Sequence, residues 1–282
     1  SHYGKTTPCV KKIISKNLYE VVISINDVDK RSKNLAHLEF KKNKIKVKKF
    51  ILRRYAEKFY KSYFLQSSKE IPFIDVKLAI SKDYLTINKK QKWITNNYSR
   101  KVGNFIRSKY DCILSTSKTV NCDNPLLNCR IEGLEKKSPA VVIVDRFFKI
   151  KMNLKIFKDK TRDIFIFTEL NNNIKEKYFK KIGVNIIKLK SSDKSENNFL
   201  DVFFFLKQLG FNRILIESGV KYINEILKHN MIQNFYLFKS SLNLRNYGKN
   251  NTKLHLIRKL KTTIKNKVKI NLDGDSLYKI QL

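Results

Sequence analysis

Between Pro72 and Arg130 the order of the sequence elements restricts the fold most strongly. The run Phe73-Ile74-Asp75-Val76-Lys77-Leu78-Ala79-Ile80 begins with partly alternating apolar and polar positions, then turns continuously apolar, as a strand does. Lys92-Trp93-Ile94-Thr95 follows, and then a helical segment from Ser99. Its Val102, Phe105 and Ile106 fall at i, i+3 and i+4 on one face, with Arg107 on the next turn. A second apolar run, Cys112-Ile113-Leu114, leads into Ser115-Thr116-Ser117-Lys118-Thr119, read as a hydroxyl-rich loop after a strand. Asp123-Asn124-Pro125-Leu126-Leu127 and Arg130 close the stretch. It holds the only Trp of the chain together with hydroxyls, a carboxylate and two arginines. That mixture suits a site for a phosphorylated ligand.

The flanking sequence extends the pattern. Residues 1 to about 67 read as the tail of an α/β domain, with strands at Tyr19 to Ile25 and Ile45 to Val47. A helix is expected from Arg54 to Leu65, and its aromatic stripe (Tyr55, Phe59, Tyr60, Tyr63, Phe64) reads as core rather than as a platform for bases. The polar run Gln66 to Glu70 marks a boundary, so the predicted domains are 1–67 and 70–282. Beyond it, strands are expected at 140–144, 163–168, 184–189, 213–217 and 235–238. A helix from Phe199 to Leu209 ends at Gly210, a C-terminal cap, and another runs from Ser218-Gly219 to about Lys228. Residues 268–272 and 277–282 flank Asp273-Gly274 and predict a terminal hairpin, while 242–262 is ambiguous and very basic. Alternating strands and helices imply a mainly parallel sheet with helices on both faces.

Composition narrows the partners. A net charge of +36 would suit a nucleic-acid binder. The basic residues are scattered through strands and helices, however, and Lys, Asn, Ile, Phe and Tyr are abundant while Gly (8) and Pro (4) are scarce. An AT-rich gene explains that set, and nucleic acid is not the expected partner. Four cysteines without C-x-x-C spacing argue against a disulfide framework and point to a reducing cytoplasm. No run of about 18 apolar residues predicts a membrane span.

The motifs VKLAIS-x-D, QKWIT, RSKYDCILSTSKT and DNPLLNCR, in this order, resemble the reductase domain of the RibD family, bifunctional proteins of riboflavin biosynthesis. Ser1 to Cys9 resembles the end of that family's zinc deaminase motif, so the chain reads as a fragment of a longer protein or as the product of a truncated gene. The resemblance implies a dihydrofolate-reductase-like α/β domain preceded by a partial cytidine-deaminase-like one. It implies NADPH as cofactor and a phosphorylated pyrimidine as substrate, and it leaves oligomeric state open, a homodimer included.

Site residues follow from the same resemblance. Ala79, Trp93, Thr119, Asp123, Arg146 and the segment Gly219, Val220, Lys221, Tyr222, Ile223, Asn224, Glu225 match cofactor positions. Gln91, Arg107, Leu127, Arg130 and Glu217 match substrate positions. From the residues alone, the G-x-G-x-x-G fingerprint is absent, and strand–Ser218-Gly219–helix reads equally as a plain turn or as a phosphate seat at a helix N-terminus. Arginines can bind phosphate bidentately, Trp93 fits a core as well, and Glu217 at a buried strand end needs a partner. Asp123 is the only nearby carboxylate considered as a catalytic acid, with water as the alternative.

Departures from the family fall at loop glycines: Tyr84 stands in SKDYL where the family has S-L-D-G-R, Ser117 replaces a glycine, the loop before Trp93 is shortened, and Val220 replaces a proline. A catalytically weak relative kept as a binding or assembly subunit is therefore the competing reading. Of the zinc ligands only Cys9 remains, and His37-x-Glu39 lies downstream of it, where it reads as a chance match. The reaction that the resemblance implies is reduction of 5-amino-6-(5-phosphoribosylamino)uracil, without deamination.

Overall fold

A computed structural model describes residues 7–27, 35–61, 63, 71–189, 195–250 and 267–282. The chain divides into two units, Ser1–Glu70 and Ile71–Leu282. In the first, α1 (Cys9–Ile14), β1 (Glu20–Ile23), α2 (Leu35–Lys42), β2 (Lys46–Lys49) and α3 (Arg53–Phe59) follow in order. β1 and β2 pair in parallel, which requires a crossover, and α2 lies within that connection. Val10, Phe40 and Ile45 form a small core. The described residues of the aromatic stripe are not core: Tyr55 and Phe59 are 76% and 79% exposed, Tyr60 and Tyr63 are exposed too, and Phe64 lies outside the described residues.

The second unit runs β3 (Phe73–Ile80), β4 (Ile87–Asn88), α4 (Asn97–Arg107), β5 (Cys112–Thr116), α5 (Ser117–Asp123), β6 (Ala140–Val144), β7 (Ile164–Thr168), α6 (Asn173–Lys181), β8 (Asn185–Lys188), α7 (Ser195–Gln208), β9 (Arg213–Ile216), α8 (Val220–Lys228), β10 (Ile232–Lys239), β11 (Gly248–Lys249) and β12 (Ser276–Gln281). Eight strands form one sheet in the order β12-β10-β3-β9-β5-β6-β7-β8. All neighbours are parallel except β10 and β12. The predicted terminal hairpin forms only in part: Lys267 with Tyr278 and Leu272 with Asp275 make antiparallel bridges and Val268 N donates to the Leu277 carbonyl at 2.8 Å, while β12 pairs along its length with β10. Residues 251–262 of the ambiguous basic stretch lie outside the described residues.

Each strand sorts its side chains by alternation. Ile74, Val76, Leu78 and Ile80 enter one core with Val202, Phe203 and Leu206 of α7 and Val220, Ile223 and Ile226 of α8. Ile113, Val141, Ile143, Ile166 and Leu215 enter the other with Ile106 of α4, Val120 of α5 and Phe179 of α6. The sheet is thus covered on both faces, which explains the continuous apolar runs.

Helix starts are fixed by short polar side chains. Asn96 accepts from Ser99 N and caps α4 at 2.9 Å. Thr116 caps α5, so the hydroxyl-rich run is a strand end and a first helical turn rather than a loop. Gly210, after α7, has φ +89°, the left-handed region that glycine enters at little cost.

Candidate active site

The parallel strands place their carboxyl ends along one sheet edge, where open α/β sheets bind ligands. β9 ends there in Glu217-Ser218-Gly219, which opens α8. β5 ends in Thr116, which opens α5, and its neighbour β6 ends at Asp145-Arg146. Register sets Val76 of β3 opposite Ile216 of β9, so Lys77 and Glu217 follow side by side. Alternation sends both to the face covered by α4, whose last residue is Arg107.

Arg107 and Glu217 meet there. Nε donates to Oε1 at 2.6 Å and Nη2 to Oε2 at 3.0 Å, a bidentate pair. Nη1 donates to Asn104 Oδ1 at 3.2 Å and to the Asn128 carbonyl at 3.1 Å, tying α4 to the loop that carries Leu127 and Arg130. Lys77 Nζ lies 3.6 Å from Glu217 Oε2. Ser115 Oγ donates to the Glu217 carbonyl at 2.7 Å and fixes the strand end.

Burial would push the Glu217 carboxyl up, but the charges of Arg107 and Lys77 outweigh it and hold the group at about 2. Lys77 shifts down, by burial first and the Arg107 charge besides, with Glu217 opposing. Burial lowers and Glu217 raises Arg107, with a net upward shift. The cluster is therefore an ionised carboxylate between two basic groups, of which Lys77 is shifted down and Arg107 up.

Beside it, hydroxyls converge on the Gly219 turn. Thr119 Oγ1 accepts from Gly219 N at 3.2 Å, and Thr116 Oγ1 lies 3.1 Å from Ser218 Oγ. Gly219 has φ −68° and ψ 155°, extended backbone open to any residue, so the turn does not need glycine for its conformation. No side chain caps α8, which leaves its first turn turned to the site with the positive end of the helix dipole. In the segment 219–225, Val220 and Ile223 are buried in the core. The Tyr222 ring packs on Phe199 at 5.2 Å, and its buried hydroxyl, pushed up by that burial, has no hydrogen-bond partner among the described residues. Contacts to a ligand from these three positions would come from backbone. Lys221 is exposed, while Asn224 and Glu225 are partly so.

The remaining expected residues are distributed around this centre. Arg130 is exposed and donates to Asn128 Oδ1 at 2.5 Å; it shifts down, through burial and then the Arg107 charge. Leu127 is buried with φ 52°, and its carbonyl accepts from Arg162 at 2.7 Å. Asp123 ends α5; surrounding protein atoms raise its carboxyl, opposed by Cys122 and the Lys92 charge. Trp93 is half exposed rather than core, with the Arg100 guanidinium 5.0 Å from its ring. Gln91 is exposed and Ala79 partly buried. Arg146 pairs with Glu169. A cavity of about 580 Å³, lined by Asn128, Arg130, Ser138, Lys155 and Lys158 among others, opens beside the loop.

Two of the glycine departures differ in kind. Tyr84 keeps a positive φ of 67°, strained for a bulky side chain. Ser117 is an ordinary first helical residue whose Oγ donates to Asp145 Oδ1 at 2.7 Å.

Sequence reasoning missed Lys77, Asn104 and Glu169. For Lys77 the signal was present: a lysine between Val76 and Leu78 in a buried strand must find a carboxylate. In the first unit Cys9 is exposed, and among the described residues no group of three or more His, Cys, Asp or Glu could hold a metal. The residues described do not fit a zinc site. Among them, too, no helix is long and apolar enough to cross a membrane.

Comparison with known proteins places this geometry. The riboflavin biosynthesis protein RibD of Buchnera aphidicola subsp. Baizongia pistaciae is 31% identical over 265 residues, covering 88% of this chain. The chain spans 69% of that protein's length and 65% of the Aquifex aeolicus RibD. Among solved structures, Acinetobacter baumannii RibD superposes with a TM-score of 0.80 at 20% identity, covering all of this chain and 78% of that one. A Thermotoga maritima diaminohydroxyphosphoribosylaminopyrimidine deaminase/5-amino-6-(5-phosphoribosylamino)uracil reductase gives 0.77 at 23%, covering 99% and 76%. Both likenesses establish the fold. The RibD C-terminal domain model matches residues 72–264, and the chain belongs to that family.

Proposed function

We propose that the second unit reduces 5-amino-6-(5-phosphoribosylamino)uracil to its ribitylamino product, with NADPH as cofactor. The observation that carries this reading is the charged cluster of Glu217, Arg107 and Lys77 at one strand end, directly beside the uncapped turn that opens α8. Family membership supports the reaction, and the site supports its division into two halves.

The residues present fit a dinucleotide phosphate: backbone N–H groups of the first turn of α8, with the hydroxyls of Thr119 and Ser218 beside them. Bound there, NADPH would supply the hydride for C1′ of the opened ribosyl group. Arg130, which is exposed, holds the anionic part of the substrate, and Arg107, bonded to Glu217, Asn104 and the Asn128 carbonyl, positions the loop that carries Arg130. Hydride addition to the C1′–nitrogen double bond leaves the nitrogen in need of one proton. Lys77 Nζ holds that proton inside the cluster, where its downward shift favours transfer. Asp123, at the end of α5, is exposed and sits nearer the Lys92 charge, which suits a contact to cofactor better.

For the first unit, the reading is a deaminase-like scaffold that does not deaminate. The test is to incubate the chain with NADPH and the pyrimidine substrate, follow oxidation of the nicotinamide, and identify the product by mass. A substrate that stays unreduced at saturating cofactor would overturn the assignment.

A further inference from the structure

The ion pair between Arg146 and Glu169 lies at the same sheet edge but outside the substrate cluster. β6 and β7 are neighbours with Val144 opposite Phe167, so the two residues that follow each strand, Arg146 and Glu169, leave the sheet as a continued rung. Backbone bonds hold that rung: Glu169 N donates to the Arg146 carbonyl at 3.1 Å, and Thr168 Oγ1 donates to the same oxygen at 3.3 Å. Across the rung, Arg146 Nε donates to Glu169 Oε1, and Nη2 donates to Oε2 at 3.2 Å. The glutamate side chain is only 8% exposed, whereas that of the arginine is 32% exposed.

The position of the pair along the sheet matters. β9, β5, β6 and β7 are successive neighbours. α8 opens after β9, α5 after β5, Arg146 follows β6 and Glu169 follows β7. Two strand spacings, roughly 10 Å, separate the α8 turn from Arg146. A dinucleotide with its pyrophosphate on that turn and its adenosine directed along the edge brings the adenosine ribose toward Arg146. Ser117, at the start of α5, is bonded to Asp145, the residue before Arg146, and joins these two parts of the edge.

A ribose 2′-phosphate recognised by arginine uses one of the two paired N–H edges of the guanidinium, Nε–Nη2 or Nη1–Nη2. Here a carboxylate fixed by backbone already takes Nε and Nη2. A carboxylate near a ribose also accepts a hydrogen bond from an unphosphorylated 2′-hydroxyl and repels a phosphate. We propose that Glu169 determines the dinucleotide specificity of this site: it competes with a 2′-phosphate for Arg146 and keeps NADPH affinity close to that for NADH. This inference rests on the cofactor reading above and adds a residue that the family resemblance did not supply.

The experiment titrates NADPH and NADH into the full chain, wild type and Glu169→Gln, following nicotinamide fluorescence. The wild type is expected to bind the two with affinities within about tenfold. Glu169→Gln keeps the shape and removes the negative charge. It should raise the NADPH-to-NADH affinity ratio by roughly tenfold, with NADH affinity changing little. Glu169→Asp, which retains the charge but shortens the side chain, gives the same comparison if the glutamine variant does not fold; its ratio should rise less than tenfold but measurably. An unchanged ratio would overturn the proposal. A ratio that falls would also overturn it, because Glu169 would then serve to align Arg146 for the phosphate. If the wild type binds neither dinucleotide, the cofactor reading itself fails, a result distinct from binding that is insensitive to Glu169.

Discussion

Arg107 and Glu217, 110 residues apart in the chain, form a bidentate ion pair in which each side chain is nearly enclosed, at 13% and 10% exposure. Removing one member of such a pair leaves an uncompensated charge, which typically costs about 3–5 kcal/mol. Glu217→Gln leaves Arg107 and Lys77 facing each other without their shared carboxylate. Its unfolding free energy in urea should fall by about 3 kcal/mol. A loss below about 0.5 kcal/mol would mean that solvent screens the pair.

The same carboxylate predicts a pH signature. Glu217 titrates at about 2 in the folded chain against a usual 4.5. A group lowered on folding stabilises above its unfolded value, and that stability is lost as pH falls through the folded value. Wild-type stability should therefore decline between about pH 4.5 and pH 2 more steeply than that of Glu217→Gln. Equal slopes for the two proteins would contradict the shift.

Lys77→Met tests the proton donor. Loss of a positioned acid lowers turnover by about 10²–10⁴-fold. Dinucleotide affinity should remain within about twofold, since Lys77 lies in the substrate half. If turnover survives and only KM rises, Lys77 binds substrate and does not move the proton.

Arg130→Ala separates the two halves of the site from the other side. A charge-assisted hydrogen bond contributes about 1.5–3 kcal/mol, so substrate affinity should fall roughly ten- to a hundredfold with cofactor binding intact. Arg130 is exposed, so the variant is expected to fold. Isothermal titration with substrate and with cofactor separately gives the answer.

Asp75 behaves oppositely to Glu217. It is 1% exposed and accepts from Tyr110 Oη at 2.5 Å and from Asn234 N at 2.9 Å. Burial nonetheless outweighs these bonds and raises its carboxyl. A carboxyl raised on folding favours the folded state only when protonated, and that advantage is lost as pH rises through the folded value. Asp75→Asn should therefore gain melting temperature relative to wild type as pH increases toward neutrality. A variant less stable than wild type at every pH would show that the hydrogen bonds dominate.

Most strands of the eight-stranded sheet were legible because each is a largely apolar run bounded by proline or polar residues, as at Phe73–Ile80 and Ala140–Val144, whereas the two-residue strands β4 and β11 were not. Pairing was not legible. Alternation says which face a residue takes, not which strand lies beside it, so β12 read as half of a local hairpin although its partner is β10. Thr116 read as loop because a cap and a loop share the same hydroxyls. In the site, Arg107 and Glu217 could each be singled out, but their union depends on a β3–β9–β5 order that no local spacing encodes. Glu169 carried no sequence signal at all, since its meaning comes from the rung it shares with Arg146.

The central place of β3 has a consequence for how the chain is made. Its two sheet neighbours are β9, which ends at Ile216, and β10, which ends at Lys239. During synthesis, β3 therefore leaves the ribosome with both edges bare and waits for well over a hundred further residues before either partner exists. Long-range pairing of this kind slows folding and keeps apolar strand edges open to other chains. Yield of the soluble chain should thus depend more on chaperone supply during translation than on the stability of the finished sheet.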